Sequence, residues 1–286
     1  MKTFPDIPST GATLYINSTH TTSQDVWWNG TTTFHKWSNH FVDNGLYVYF
    51  EIMPFTLRAR PFVAIGKTKQ QLQAIVQPFL DELTAKGIPF DFAIKDFPTF
   101  YDLYVDLFEA ENAGSSALTG GWMFNHQDVA TNNDGIIDAF KTVLTPKPDR
   151  TDLFSFLIGH LFNPGYGAPK SNSATHPSWR NATDFVISAL VVPVGSSLAQ
   201  KAELQDILTN TIDQALRQAS TSGCTYVNEA DPYQPNWQRH FWGSEYPKLR
   251  ALRYKWVPLG VFYAVATPGT EGWEVIEDGT RLCRKL

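Results

Sequence analysis

The sequence is poor in the features that mark several large classes of protein. Its 286 residues include two cysteines, Cys224 and Cys283. Because they lack the spacing of a redox or zinc motif, one disulfide, two free thiols and pairing with another chain all stay open. The seven histidines show no paired metal-ligand spacing, so no metal site is predicted. The sequence also contains no glycine-rich dinucleotide loop, phosphate-binding loop or serine-nucleophile elbow.

Basic clusters and long apolar runs are absent from the sequence as well. Lys and Arg number 23 against 28 Asp and Glu, a net charge of -5, and the basic residues are scattered. This distribution argues against nucleic acid or a membrane surface as a partner. The N-terminal residues lack an apolar run, so neither a signal peptide nor a transmembrane segment is predicted. Three N-glycosylation sequons, at Asn17, Asn29 and Asn181, modestly favour a secreted glycoprotein.

The chain is nevertheless rich in apolar and aromatic residues, at 43% and 14%, enough for a substantial core. Alternating apolar positions predict strands at 45–53, 58–65, 121–124, 153–162 and 184–192. Helical spacing predicts helices at 33–42, 68–86, 97–110, 134–144 and 197–217, and residues 1–13 are expected to be extended. Loops are predicted at 112–121 and 165–178. The half-exposed alternation of the strands favours an α+β fold, a large and mostly antiparallel sheet backed by helices on one face.

The densest stretch runs from Tyr226 to Phe262. It interleaves aromatic residues with the carboxylates of Glu229 and Asp231, with amides and with basic side chains. Such a segment is suited to closing over a flat molecule with polar edges, because it supplies ring faces and hydrogen-bonding groups together. The alternative is a surface segment whose aromatic side chains fill gaps in the core and whose charges are solvated.

Four ordered motifs in this stretch carry a family resemblance. They are Y-x-N-E-A-D-P from Tyr226, then P-N-W-Q, then F-W-G-x-x-Y-x-x-L, then K-x-x-P-x-x-x-F. Together they resemble the C-terminal signature of the berberine bridge enzyme-like flavoproteins, which are FAD-linked oxidoreductases of the vanillyl-alcohol-oxidase type, and fungal members in particular. Upstream, H-P-S-W-R at 176–180 is similar to that family's N-P-x-W-R, with His176 in place of Asn.

The resemblance implies a division of the chain and a cofactor. Residues 1–217 would form a substrate-binding-type α+β domain, and residues 218–286 a C-terminal segment that packs on an FAD domain. The chain would begin just after the flavin-binding half, so we expect a truncated or split form of an FAD-linked oxidoreductase of fungal secondary metabolism. FAD would then be held mainly by residues outside this sequence, for example on a separate FAD-binding chain, and secretion is implied.

The resemblance also implies roles for four residues. Glu229 would face the substrate side of the flavin and act as the catalytic base, with a pKa raised by burial; alternatively it pairs with an Arg and only fixes the loop. Asn228 would donate to a flavin carbonyl oxygen. Tyr226 and Tyr246 either orient the substrate, a small and aromatic or polyketide-like molecule, or fill the core. The competing hypothesis is a flavin-free small-molecule binding or cyclase-like protein derived from the same family.

Overall fold

The computed structural model describes residues 5–17, 23–109, 116–165, 173–276 and 281–285. Seven strands form one sheet in the order β4-β1-β3-β2-β6-β7-β5, and each adjacent pair is antiparallel. The strands are β1 Ser9–Asn17, β2 Tyr47–Met53, β3 Thr56–Ile65, β4 Asp91–Phe97, β5 Ala117–Asn125, β6 Ser155–Leu161 and β7 Ala182–Val191. Strands β8 Trp273–Ile276 and β9 Arg281–Arg284 pair as a separate C-terminal hairpin.

Helices cover one face of the sheet and form the main core with it. The α-helices are α1 Gln24–Lys36, α2 Ser38–Asp43, α3 Lys69–Ala85, α4 Phe100–Leu107, α5 His126–Leu144, α6 Leu198–Ile207, α7 Asp213–Ala219 and α8 Tyr246–Trp256. Short π-helical turns occupy Leu208–Ile212 and Gln238–Trp242, and 3-10 turns occupy Pro177–Asn181, Gly243–Glu245 and Thr270–Gly272. The predicted α+β fold with a large antiparallel sheet is thus confirmed.

Strand β2 shows how the sequence creates two different faces. Its even-numbered residues Val48, Phe50 and Ile52 are at most 1% exposed. Their side chains join the core beneath the helices, where Phe50 meets the ring of Phe34 in α1 at 5.3 Å. Because successive side chains of a strand point to opposite faces, the intervening Tyr47 and its odd-numbered neighbours lie on the other face, half-buried. We call this second surface the open face.

One helix departs from the expected arrangement. Helix α4 packs against the open face, where Leu103 and Leu107 form a small apolar cluster with Val63 of β3. A close approach at Gly11 of β1 makes this possible, since a Cβ there would lie 2.3 Å from the Leu107 side chain. The open face is therefore partly covered at its β4-β1-β3 side and buried along β7, and its half-buried residues lie on β2 and β6.

The sequence prediction missed strands β1, β4, β8 and β9 and helix α8, and two helices begin earlier than predicted. Strand β1 was predicted only as extended chain, and β4 not at all. β4 is an edge strand whose contacts with the main core alternate over a short span at Phe92 and Ile94, too few positions to mark a strand. Helix α5 begins at His126 because Asn125 caps it, with Asp128 completing a capping box. Helix α1 begins at Gln24, capped by Ser23. The predicted loop at 112–121 is wrong over its last five residues, which belong to β5; the rest of it, part of the loop predicted at 165–178 and the end of the sequon at Asn17 extend outside the described residues.

Both cysteines are free thiols. Cys224 is buried against Met123 of β5, with 3.7 Å between the sulfur atoms, and burial raises the pKa of its thiol to about 12. This thiol is therefore a packing group and not a nucleophile at neutral pH. Within the described ranges, no helix is long and apolar enough to cross a membrane.

Candidate functional site

A row of aromatic and polar side chains crosses the middle of the open face. Tyr49 of β2 pairs in register with His160 of β6, which pairs with Phe185 of β7. The His160 ring stacks on Phe185 with centroids 6.3 Å apart and meets the Tyr49 ring edge-on at 5.3 Å. Residues directly opposite on neighbouring strands lie close enough to interact, so this row is a consequence of the strand register.

His160 and Tyr47 form a hydrogen-bonded pair within this surface. The Tyr47 hydroxyl lies 2.8 Å from Nδ1 of His160. Burial lowers the pKa of His160 to about 4, so the imidazole is neutral at physiological pH and can accept a hydrogen bond. A neutral, half-buried imidazole held by a phenol on the open face is suited to hydrogen-bonding a polar group of a bound molecule.

A network of charges occupies the β3 side of the open face. Arg58 pairs with Glu51 across β2 and β3, with Nη2 2.8 Å from a Glu51 oxygen, and the Tyr49 hydroxyl donates to Glu51 at 3.1 Å. Arg58 also binds Glu109 at 3.0 Å, and Arg60 reaches the same carboxylate at 3.2 Å. The charges therefore balance, and both arginines are held in fixed positions.

The β7 side of the open face is aromatic instead. The ring of Tyr226 meets Trp179 perpendicularly at 5.7 Å and Phe185 at 6.4 Å. Trp179 in turn meets Phe162 at 5.8 Å. The open face thus has a charged half and an aromatic half, and the Tyr47–His160 pair lies between them.

The predicted site residues Tyr226, Asn228 and Glu229 come together at the aromatic edge. Asn228 Nδ2 donates to the Tyr226 hydroxyl at 2.6 Å, and the Glu229 backbone N–H donates to the Tyr226 carbonyl at 3.0 Å. Asn228 is exposed and Glu229 is half-buried. Since Tyr226 packs on Phe185, this turn lies at the open face and not beneath the helices.

Tyr246 occupies a different environment within the C-terminal segment. Its hydroxyl donates to Glu271 and accepts from the backbone N–H of Gly269 at 3.2 Å. Its ring meets Trp237 at 5.6 Å. Burial, followed by the hydrogen bond to Glu271, raises the pKa of Tyr246 to about 12. The tyrosine links helix α8 to the following turn in this structure.

His176 and Gly243 connect the two motifs that were noted separately in the sequence. The His176 Nδ1 accepts from the Ser178 backbone N–H at 3.1 Å, and its Nε2 lies 3.0 Å from the Arg239 carbonyl. Gly243 has φ of +58°, and a Cβ there would lie 2.8 Å from the His176 ring. A side chain at position 243 is therefore excluded by both backbone conformation and space.

Sequence reasoning missed the Tyr47–His160 pair and the Arg58–Glu51 network. The polar alternation in β2 was the available signal for Tyr47 and Glu51. His160 carried no such signal, because the pairing of β2 with β6, two strands 113 residues apart at this contact, is invisible in a local pattern. Within the part of the chain that the structure describes, no group of His, Cys, Asp or Glu is arranged to hold a metal ion.

The architecture defines the class of protein. The chain matches the VAO-type flavoprotein MtVAO615 from Myceliophthora thermophila C1 with a TM-score of 0.83 at 23% identity, over 98% of this chain and 50% of that one. A xylooligosaccharide oxidase from the same organism, solved with xylobiose, matches with a TM-score of 0.59 at 12% identity, over 92% of this chain and 55% of that one. The fold is thus that of one half of a VAO-type flavoprotein.

The sequence comparisons give the proteins to which this chain is related. Residues 225–265 match the family model described as "Berberine and berberine like". The FAD-linked oxidoreductase ZEB1 of Gibberella zeae is 28% identical over 284 residues, which span 99% of this chain and 49% of that protein. The chain is therefore related to the berberine bridge enzyme-like FAD-linked oxidoreductases, which confirms the resemblance, and it spans about half the length of that curated relative.

Proposed function

We propose that this chain forms the substrate-binding half of an FAD-linked oxidoreductase. The observation that carries the proposal is the open face, where the Tyr226–Glu229 turn borders an exposed sheet surface carrying Tyr47 and His160. Ligand sites in proteins combine an apolar, concave surface with a few converging polar groups. The kinship with fungal FAD-linked oxidoreductases supports the same assignment.

The residues at the edge of the open face fit one side of a flavin. A flavin, when bound, accepts a hydride from the substrate. The exposed Asn228 amide can donate to a ring carbonyl oxygen, and its bond to the Tyr226 hydroxyl fixes the direction in which it points. Tyr226, packed edge-on against the aromatic half of the face, would orient a small substrate with an aromatic or polyketide-like body.

Glu229 is the proposed general base, and His160 is a second candidate. Glu229 is half-buried at the turn that borders the open face, where a carboxylate could take a proton from an alcohol or phenol. His160 is neutral and hydrogen-bonded to Tyr47, so it could accept the same proton or hold the substrate hydroxyl. Tyr246 remains a proposed substrate contact, although in this structure its hydroxyl binds Glu271.

The C-terminal segment supplies the proposed contact with the flavin-binding half. Around the end of α8, Trp256, Leu259, Val261 and Phe262 are each at least 73% exposed. A patch of this kind marks a surface that is covered by a partner. We propose that the FAD-binding half, on the same or a separate chain, covers it.

The flavin-loaded protein that contains this chain would test the proposal. Rapid-mixing absorbance would follow loss of the yellow flavin bands on addition of substrate without oxygen. Glu229→Gln should slow flavin reduction on the order of 10²-fold or more, the usual effect of losing a general base. Asn228→Ala should shift the flavin bands. The exposed Glu274→Gln is the matched control and should have no effect.

Two outcomes would contradict the assignment. If Glu229→Gln reduces the flavin at the wild-type rate while His160→Gln is slow, Glu229 is not the base and the second candidate replaces it. If the protein stays colourless with FAD and with a flavin-binding half, yet binds a small aromatic molecule, the flavin-free alternative is correct.

A further inference from the structure

Asp231, two residues after Glu229, has a fully buried carboxylate with a complete set of partners. It is 0% exposed. Its Oδ1 accepts from Gln205 Nε2 at 2.9 Å and from the Tyr233 backbone N–H at 2.8 Å. Its Oδ2 accepts from the Thr209 hydroxyl at 2.6 Å. Burying a carboxylate is unfavourable unless its oxygens are hydrogen-bonded, so these donors fix the position of the Asp231 side chain.

Thr209 belongs to an irregular turn in the long helix. The segment Leu208–Ile212 is a π-helical turn between α6 and α7, a form that occurs mostly as single turns and often at functional sites. Within this turn, the backbone carbonyl of Thr209 accepts a hydrogen bond from Arg217 Nη2 at 2.8 Å. Thr209 is thus held from its backbone while its hydroxyl holds Asp231.

The chain between Asp231 and the site is short. One residue of extended chain spans at most about 3.6 Å, so Glu229 cannot lie far from a fixed Asp231. The turn is closed at its other end by the Glu229 N–H bond to the Tyr226 carbonyl. The backbone that carries Asn228 and Glu229 is therefore tied at both ends, to the sheet through Tyr226 and to the helix layer through Asp231.

We infer that Asp231 is a positioning residue, which through Thr209 and Gln205 sets the place of Asn228 and Glu229 at the open face. Its importance for a reaction rests on the proposed function, because only then do Asn228 and Glu229 face a flavin and a substrate. The placement itself is a property of this chain alone and can be measured without either.

Asp213 provides a matched control. It is also a buried carboxylate, 1% exposed, in the same helical region, and it accepts from the Ser188 hydroxyl of β7 at 2.6 Å. Its bond is to the sheet beneath the helices and not to the Tyr226–Glu229 turn. Replacing Asp213 removes none of the hydrogen bonds to Asp231, and the charge of Asp213 acts on Asp231 and Arg217 only through space.

The experiment uses the full chain labelled with ¹⁵N, free of flavin and substrate. The side-chain amide signals of Asn228, assigned with Asn228→Asp, and hydrogen exchange at the Glu229 amide would be recorded for Asp231→Asn and Thr209→Val. Both variants should shift the Asn228 signals and speed Glu229 exchange at least about tenfold, because the turn loses its anchor. Thr209→Ser, which keeps the hydroxyl, should restore both.

Two results would overturn the inference. Folded Thr209→Val with unchanged Asn228 signals and Glu229 exchange would show that the anchor does not set the turn; this variant removes a single hydroxyl and guards against failure of Asp231→Asn to fold. Equal changes in Asp213→Asn would show a general loss of stability. Failure of FAD to bind would refute the proposed function and leave this inference intact.

Discussion

The two faces of the sheet are built on opposite principles. Beneath the helices, the rings of Phe34, Phe41, Phe50 and Phe62 are completely buried and meet one another at 5.3 to 6.4 Å. On the open face the same strands carry half-buried tyrosines and charges that bind each other. The helix-covered face stabilises the fold, and the open face presents polar groups that a ligand could contact. A side chain that the fold leaves half-covered is thus a better guide to function than a fully buried one.

The two faces also carry ionisable groups with opposite pH responses. Under the helices, burial raises the pKa of Asp213 to about 7, so the folded state favours its neutral form. On the open face, burial lowers the pKa of His160 to about 4, which also favours the neutral form. Because one group is an acid and the other a base, the folded protein should be weakened at opposite ends of the pH range.

The largest expected contrast is between neighbouring residues of β2. Phe50→Ala removes a fully buried ring that packs on Gly159 and Phe34, and it should lower the free energy of unfolding by about 3–5 kcal/mol. Tyr49→Phe removes one hydroxyl from the open face and should lower the free energy of unfolding by less than about 1.5 kcal/mol. Urea denaturation of both variants would measure the difference. Equal losses would mean that both faces belong to one core.

Asp213 should make the protein less stable as pH rises. Its carboxyl pKa is 3.8 in an unfolded chain and about 7 when folded, so its stabilising contribution is complete below pH 3.8 and is lost as pH rises through 7. The total is up to roughly 4 kcal/mol at 1.36 kcal/mol per pKa unit. Asp213→Asn should remove this slope in urea denaturation between pH 4 and 7. An unchanged slope would show that Asp213 is ionised throughout.

His160 should make the protein less stable as pH falls, the opposite of the effect expected of Asp213. Its pKa is 6.5 in an unfolded chain and about 4 when folded, so stability is retained above pH 6.5 and is lost as pH falls to 4, by up to roughly 3 kcal/mol. His160→Gln should flatten the loss on this acid side, and His126→Gln, at an exposed histidine, should not. An imidazole NMR titration with a midpoint near 6.5 would contradict the expectation.

Local pattern predicted most elements of the helix-covered face, because each buried stripe repeats at the period of its own helix or strand. The seven-stranded order could not be predicted, since β2 and β6 pair across 113 residues at Tyr47 and His160. The motif in the Tyr226 stretch singled out Tyr226, Asn228 and Glu229, and their roles at a flavin stay predictions. It could not show that Asp231 faces the helices, or that Tyr246 binds Glu271, because both depend on tertiary packing.

The smallest effect on stability is expected at the exposed end of α8. This region differs from the helix-covered face because its apolar side chains are not buried. Trp256 and Phe262 are 73% and 75% exposed, so Trp256→Ser with Phe262→Ser should alter the free energy of unfolding by no more than about 0.5 kcal/mol per site.

The same variants should reduce self-association in sedimentation velocity, because an uncovered apolar patch promotes it. Tyr101→Ser, at a 71% exposed ring on α4, is the control and should leave association unchanged. A large loss of stability at Trp256 would mean that this segment packs on the chain itself, and the patch would no longer argue for a covering flavin-binding half.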